Sequence, residues 1–202
     1  MSRKSSRGWM REHLRDPFVQ EAQAQGYRSR AAFKIIQMDA SDRLFKKGQQ
    51  VIDLGAAPGG WSQVAASRVG ASGCVVGVDL LSMEPLPGVT FIQGDFLDET
   101  VQAEINYSLT GRADLVLSDM APNLTGVKER DQAQAMEIGQ AAQMFAAKVL
   151  KSSGILVVKV FQGTSVAELR AAMAGEFTRI KVRKPSASRN RSAEIYLIAA
   201  RR

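Results

Sequence analysis

Residues 51–63 read "VIDLGAAPGGWSQ". A short apolar strand runs into a loop carrying Gly55, Gly59 and Gly60, and "GGWSQVAASRV" at 59–69 then reads as a helix. The glycines permit a tight turn and close approach of backbone to a ligand, and Pro58 stiffens that turn. Strand, glycine loop and helix in succession are the opening unit of an open α/β sheet. The spacing G-x-x-x-G-G is not the dinucleotide fingerprint G-x-G-x-x-G, and it lacks the Lys-Ser/Thr of a phosphate loop.

The alternation continues outward from this unit. Before it, "SRAAFKIIQMDASDRLF" reads as a helix with Ser29 as N-cap. After it come strands at "GCVVGVDLL", "VTFIQGDF" and "ADLVLSDM", with a helical stretch around 97–109 before the last of them. A long helix around 131–151, the strand "GILVVKVF" at 154–161 and a helix around 164–174 follow. Two final strands, about 177–184 and 193–200, are joined by the loop "PSASRNRS" with no helix between them, so they pair antiparallel. The expected fold is α/β: a Rossmann-like, doubly wound, mostly parallel seven-stranded sheet ending in an antiparallel hairpin.

The 202 residues suit a single domain, 1–202, with a basic N-terminal segment at 1–34 and a core at 35–202. An apolar content of 45% with 23% charged residues is that of an ordinary globular protein able to bury a core without staples. One cysteine, Cys74, excludes an internal disulfide and a thiol-rich metal site. One histidine, His13, leaves little for a zinc site or a Ser-His-Asp triad, and in "REHLRD" it reads as a solvated surface residue. No metal is expected. The N-terminus has no apolar core of a secretory signal, and no run approaches the ~20 apolar residues of a membrane span, so a cytoplasmic protein is expected.

The net charge of +7 is uneven: +5 over residues 1–34, −5 over 35–177 and +7 over 178–202. Basic ends on an acidic body suggest local sites that meet a polyanion, and nucleic acid is the expected partner.

Ligands of open α/β sheets bind at the carboxyl ends of the parallel strands. There, Gly55 opens the glycine turn, Asp79 ends the second strand and Asp95 follows the third. Asp79 can take both hydroxyls of a ribose, and Asp95 can accept from an adenine amino group. That order describes a pocket for an adenosyl group without a pyrophosphate, which S-adenosylmethionine fits. A nicotinamide cofactor would use Asp79 alike, but the glycine spacing and the lack of a second domain count against it.

Asp119 ends the fourth strand, in "SDMAPN". An amino-methyltransferase loop would need an aromatic after its proline, and Asn123 and Leu124 stand there instead. Lys159 sits near the end of the apolar fifth strand, where an unpaired ammonium would be costly. Glu194 opens the last strand at the same edge, and Lys34 lies on the helix that can cap it. Two lysines and two carboxylates balance in charge.

These residues closely resemble the FtsJ/RrmJ (RlmE) family of ribose 2′-O-methyltransferases. The resemblance rests on "RSRAAFK" at 28–34, "DLGAAPGGWSQ" at 53–63, "GDF" at 94–96, "SDMAPN" at 118–123, "VVKVFQG" at 157–163 and "KPSASRNRSAEIY" at 184–196. It implies a catalytic tetrad of Lys34, Asp119, Lys159 and Glu194, and cofactor contacts from Gly59, Trp61, Asp79, Asp95 and Asp119. Among its members the short termini look like the bacterial enzyme that methylates a uridine ribose of 23S rRNA within the large ribosomal subunit, here expected to act as a monomer.

The chemistry so implied is in-line placement of a ribose oxygen against the methyl carbon and removal of the hydroxyl proton. Lys159 is expected as the base, with Lys34 assisting and holding the ribose. Asp119 would orient Lys159, and Glu194 would position Lys34 or the substrate. Arg28, Arg30, Arg189 and Arg191 flank the tetrad in sequence and are expected to form a phosphate-binding rim. Trp9 and Tyr27 either stack on unpaired bases or anchor the N-terminal segment. The rival from another class is a non-catalytic RNA-binding assembly factor on this scaffold, which predicts decay in the tetrad or the glycine loop. An amino-methyltransferase is the rival within the enzyme class, and 2′-O-methylation of another RNA, tRNA, is the alternative for the substrate.

Overall fold

The computed structural model describes residues 15–122, 125–163, 165–189 and 192–202. Trp9, His13, Asn123, Leu124 and Arg191 therefore lie outside the described residues. The strands are β1 (Gln50–Leu54), β2 (Cys74–Asp79), β3 (Thr90–Gln93), β4 (Ala113–Ser118), β5 (Leu150–Phe161), β6 (Phe177–Arg183) and β7 (Glu194–Arg201). They form one seven-stranded sheet in the order β3-β2-β1-β4-β5-β7-β6. β1 to β5 pair parallel, and β7 runs antiparallel between β5 and β6.

The described helices are α1 (Pro17–Ala24), α2 (Ala32–Asp42), α3 (Gly60–Val69), α4 (Glu99–Ser108), α5 (Lys128–Val149) and α6 (Ser165–Met173). Successive strand residues point to opposite faces of a sheet, and both faces here are apolar. Ile52, Leu54, Val116, Leu156, Val158 and Leu197 pack with Ile105, Phe145 and Leu169 of α4, α5 and α6. Val51, Leu115, Leu117, Val157 and Ile198 face the other way, against Ile35 and Met38 of α2 and Val64 and Ala65 of α3. All five residues of β1 are buried, as a central strand covered on both sides requires.

The same alternation sets the polar residues. Lys159 is in step with Val157, and Tyr196 and Glu194 are in step with Ile198, so all three lie on the face covered by α2 and α3. Lys159 is the registered partner of Tyr196, and Glu194 pairs with Phe161 at the carboxyl end of β5. α2 then covers this corner and brings Lys34 over it.

The structure departs from the sequence reading at three points near the N-terminus. Ser29 does not cap α2: the cap position is Ala31, with no side-chain cap bond, and the Ser29 hydroxyl is buried without a hydrogen-bond partner in the structure. Its segment is pressed against the start of α3, where a Cβ on Gly60 would collide with Ser29 Oγ. Second, α1 was not anticipated, although its signal is present: the Asp16 side chain accepts from Phe18 N–H at 3.0 Å, and Pro17 follows as the first helical residue. The expected boundary at 34/35 falls inside α2.

Candidate active site

Beyond the carboxyl ends of β1, β2 and β4 lies a cavity of about 550 Å³. Gly55 lines its floor at φ +76, and a Cβ there would come within 2.6 Å of Met120 Cγ, so both the turn and the space exclude a side chain. Asp79 ends β2 in the wall: one carboxylate oxygen accepts from Ala57 N–H at 2.9 Å and the other from Leu81 N–H at 2.9 Å. Each oxygen retains a second lone pair for a ligand hydroxyl. Asp95 also lines the cavity and accepts from Leu97 N–H at 2.9 Å. Leu80, Leu81 and Leu97 are 67%, 70% and 54% exposed around this cavity, an unusual price for leucine unless something flat and apolar covers them. A carboxylate pair, a glycine floor and apolar flanks fit the adenosyl group of S-adenosylmethionine. The three leucines carried no signal in the sequence, since "DLL" read as a strand end and Leu97 as the start of a helical stretch.

Gly59 and Trp61 are placed differently from Gly55. Gly59, at φ +108, does not line the cavity; Met83 and Arg28 lie against it. The Trp61 indole is buried in the core, donating to Ala31 O at 2.8 Å and packing 5.7 Å from the Tyr196 ring. Any cofactor contact by Trp61 must come from its main-chain N–H in the first turn of α3, where amides have no helical acceptor. Beneath the glycine loop, Asp53 is 1% exposed and accepts from Ser62 Oγ at 2.6 Å. Burial pushes its carboxyl up to about 7 against the Ser62 hydrogen bond, and the negative charges of Asp119 and Asp79 add to the rise.

Asp119 borders this cavity and also belongs to the charged cluster. Lys159 Nζ donates to Asp119 O at 2.5 Å and lies 3.0 Å from Asp119 Oδ1. Lys34 Nζ lies 2.8 Å from Glu194 and 3.6 Å from Asp119 Oδ2. The structure thus brings the four expected residues together, with side chains only 9–16% exposed. Burial alone would raise the Glu194 carboxyl, but Lys34, with Ser188 and Lys159, outweighs it and holds the group below the ordinary carboxylate range.

Tyr196 completes the cluster and was missed. Its hydroxyl accepts from Lys34 Nζ at 3.0 Å and donates to Asp119 Oδ1 at 2.8 Å. Burial, then the nearby charges of Asp119 and Glu194, push this phenol well above its ordinary range, so it stays a neutral bridge. Within "AEIYLIAA" an aromatic reads as core, and it is core; only the register opposite Lys159 reveals its polar end.

Next to the tetrad is a groove of about 450 Å³ lined by Arg30, Ala31, Lys34, Ala187, Arg189, Ser192 and Glu194. Arg30 pairs with Asp16 and donates to Ala187 O, and Arg189 Nε lies 3.8 Å from the same Asp16. Burial and then the charge of Arg189 draw the Arg30 guanidinium below its usual range, opposed by Glu194. Two of the expected rim arginines therefore face the groove. Arg28 does not: its guanidinium turns to Pro58 O, Glu84 O and Pro85 O beside the glycine loop. Tyr27 packs edge-on against Phe33 with centroids 5.6 Å apart, as an anchor of the N-terminal segment.

A mostly parallel sheet whose penultimate position is an antiparallel strand, with a carboxylate-bearing cavity at its carboxyl edge that fits an adenosyl group and a lysine base candidate beside it, is the arrangement of an S-adenosylmethionine-dependent methyltransferase. Residues 27–202 match the FtsJ-like methyltransferase family, and the chain belongs to that family. It is 53% identical over 196 residues to "Ribosomal RNA large subunit methyltransferase E" of Azoarcus sp. (strain BH72), covering 96% of each chain. The protein of the same name from Alcanivorax borkumensis is 50% identical over 194 residues, covering 96% of this chain and 93% of the relative. Among solved structures, one described as a ribosomal RNA methyltransferase from Plasmodium falciparum superposes with a TM-score of 0.77 at 29% identity, over 87% of this chain and 98% of that one. TrmN of Thermus thermophilus, at 16% identity and a TM-score of 0.55 over 86% of this chain and 48% of that one, shares the fold alone.

Proposed function

We propose that this protein methylates the 2′-hydroxyl of a uridine ribose in 23S rRNA, acting in the cytoplasm as a monomer on the large ribosomal subunit. The relatives named above are large-subunit rRNA methyltransferases, which supports the substrate class. The observation that carries the chemistry is the double position of Asp119, which borders the cofactor cavity and holds Lys159 through both its main chain and its carboxylate. Bound in the 550 Å³ cavity, S-adenosylmethionine supplies an electrophilic methyl group.

The protein's own residues do the rest. Asp79 and Asp95 hold the nucleoside end, with Leu80, Leu81 and Leu97 around it. Asp119 and the Tyr196 hydroxyl fix Lys159 and Lys34 on one face of the sheet. Lys159, acting from its neutral amine form, accepts the proton of the ribose hydroxyl and becomes the ammonium that Asp119 holds, and Lys34, held by Glu194 at the border of the groove, positions that ribose. Arg30 and Arg189, which both lie against Asp16 at the groove, hold the flanking phosphates in its place.

Transfer of labelled methyl to naked rRNA, isolated large subunits and tRNA, followed by mapping of the modified ribose, tests the substrate. Label on large subunits at a ribose is expected; label on a base, or on tRNA only, overturns the reading. Lys159→Ala and Lys159→Arg should each lower the rate by about 10²-fold or more, the usual span of general-base catalysis. A near-wild-type rate in either would remove Lys159 from the base role.

A further inference from the structure

Position in the sequence groups Arg28 with Arg30 around Lys34, yet the two guanidinium groups serve different cavities. We infer that Arg28 is a positioning residue of the cofactor cavity, a clamp that ties the glycine loop after β1 to the 80–88 loop after β2. The inference rests on the reading of that cavity as the S-adenosylmethionine site.

The contacts are specific. Arg28 Nη1 donates to Glu84 O at 2.6 Å and to Pro58 O at 3.3 Å, and Nη2 donates to Pro85 O at 2.6 Å. Pro58 follows Ala57, and Glu84 and Pro85 follow Leu81 closely; Ala57 and Leu81 both line the cavity. The 82–88 stretch has no helix or strand of its own. Among the described residues, the hydrogen bonds that reach 82–85 all come from Arg28. The planar fork presents its donors from two nitrogens in fixed directions to three carbonyls, whereas an ammonium offers all its donors from one atom on a flexible stem.

Asp79 ties the same two loops from the inside, through Ala57 N–H and Leu81 N–H. When Asp79 turns to ribose hydroxyls it must share its lone pairs between ligand and loops. The outer clamp then keeps the wall in place, so binding need not rebuild it. That is preorganisation, and it appears as affinity for the cofactor.

The clamp also carries the route to the tetrad. Arg28 N–H donates to Gln63 Oε1 at 3.0 Å, Gln63 Nε2 donates to Gly26 O at 2.8 Å, and Trp61 Nε1 donates to Ala31 O at 2.8 Å. The 26–31 segment thus lies along the first turns of α3 and leads directly into Lys34. Arg28 joins the cofactor loops to the segment that leads into the substrate-holding lysine.

The test uses full-length wild type, Arg28→Ala and Arg28→Lys, with S-adenosylhomocysteine as the titrated probe and S-adenosylmethionine in the kinetics. Arg28→Ala should bind the probe about tenfold more weakly, as loss of charge-assisted hydrogen bonds implies. KM for S-adenosylmethionine should rise with kcat at saturation nearly unchanged. Arg28→Lys should recover little, while free guanidinium in solution should restore part of the affinity of Arg28→Ala. RNA affinity measured without cofactor, and its salt dependence, should stay at the wild-type level. Unchanged probe affinity in Arg28→Ala, including a variant that loses thermal stability alone, overturns the inference. So does a fall in RNA affinity and salt slope without a cofactor effect, which would make Arg28 a phosphate contact after all. A wild-type protein that binds no probe overturns the reading of the cavity itself.

Discussion

An aspartate whose burial disfavours its charge sits one layer beneath the glycine loop. Asp53 is buried, bonded to Ser62 Oγ, and flanked in space by the charges of Asp119 and Asp79. Its carboxyl rises from the ordinary 3.8 to about 7, first through burial. Because the folded state binds this proton more tightly than the unfolded chain, its contribution is fully present below about pH 4 and is lost as pH rises toward 7. The rise corresponds to at most about 4 kcal/mol. Asp53→Asn should therefore be nearly neutral below about pH 4 and stabilise the fold by about 1–3 kcal/mol at about pH 8, in urea titrations at both values. Equal effects at the two values would show that Asp53 is not the titrating group. Other residues were legible without coordinates. Lys159 announced itself as a charge in an apolar strand, and strand alternation with the edge rule placed Asp119 and Glu194 beside it. Tyr196 and Arg28 were not legible. The first hides a polar tip on a core residue, and the second chooses its partners by the path of a loop that has no periodic pattern.

Helix α2 shows what local rules miss at the scale of an element. Ser29 has the residue type and position of an N-cap, yet its hydroxyl is buried against the start of α3 and finds no partner in the structure. Packing of the 26–31 segment on α3 overrides the local preference, and Gly60 is the residue that admits it: its backbone needs no special φ, only the missing Cβ. Gly60→Ala should destabilise the protein by about 1–3 kcal/mol through overpacking. Ser29→Ala alone should be neutral or slightly stabilising, because it removes a buried unpaired hydroxyl. The double variant should recover most of the loss, in a thermal-unfolding cycle of the four proteins. Additive losses would mean that the two residues do not compete for space. Most strands and the other helices were read nearly to their ends, since periodicity dominates there, but β5 begins at Leu150, four residues before its expected start and inside the expected helix. α1 was passed over because Asp16–Pro17 is a short signal at the margin of a basic stretch.

For the molecule as a whole, the basic C-terminal region divides into two uses. Lys181 and Arg183 are taken up by Asp42, and Arg201 by Glu176, so they secure the hairpin rather than await a polyanion. Arg189 remains at the groove beside Arg30, loosely matched to Asp16. Arg189→Glu should weaken RNA binding and reduce its salt slope by about one, while leaving affinity for the cofactor unchanged. Unchanged RNA affinity and slope would remove Arg189 from the rim. The charge tally pointed to the correct end of the chain but could not separate these uses, because pairing with Asp42 spans residues far apart in sequence. The arrangement of the sheet has a further consequence in time. β7 is the last strand in the chain, yet it is inserted between β5 and β6, and it brings both Glu194 and Tyr196. During synthesis from the N-terminus, every other strand can be present while the tetrad still lacks two of its supports. The corner that carries the charged cluster is thus the last part of the sheet to be completed.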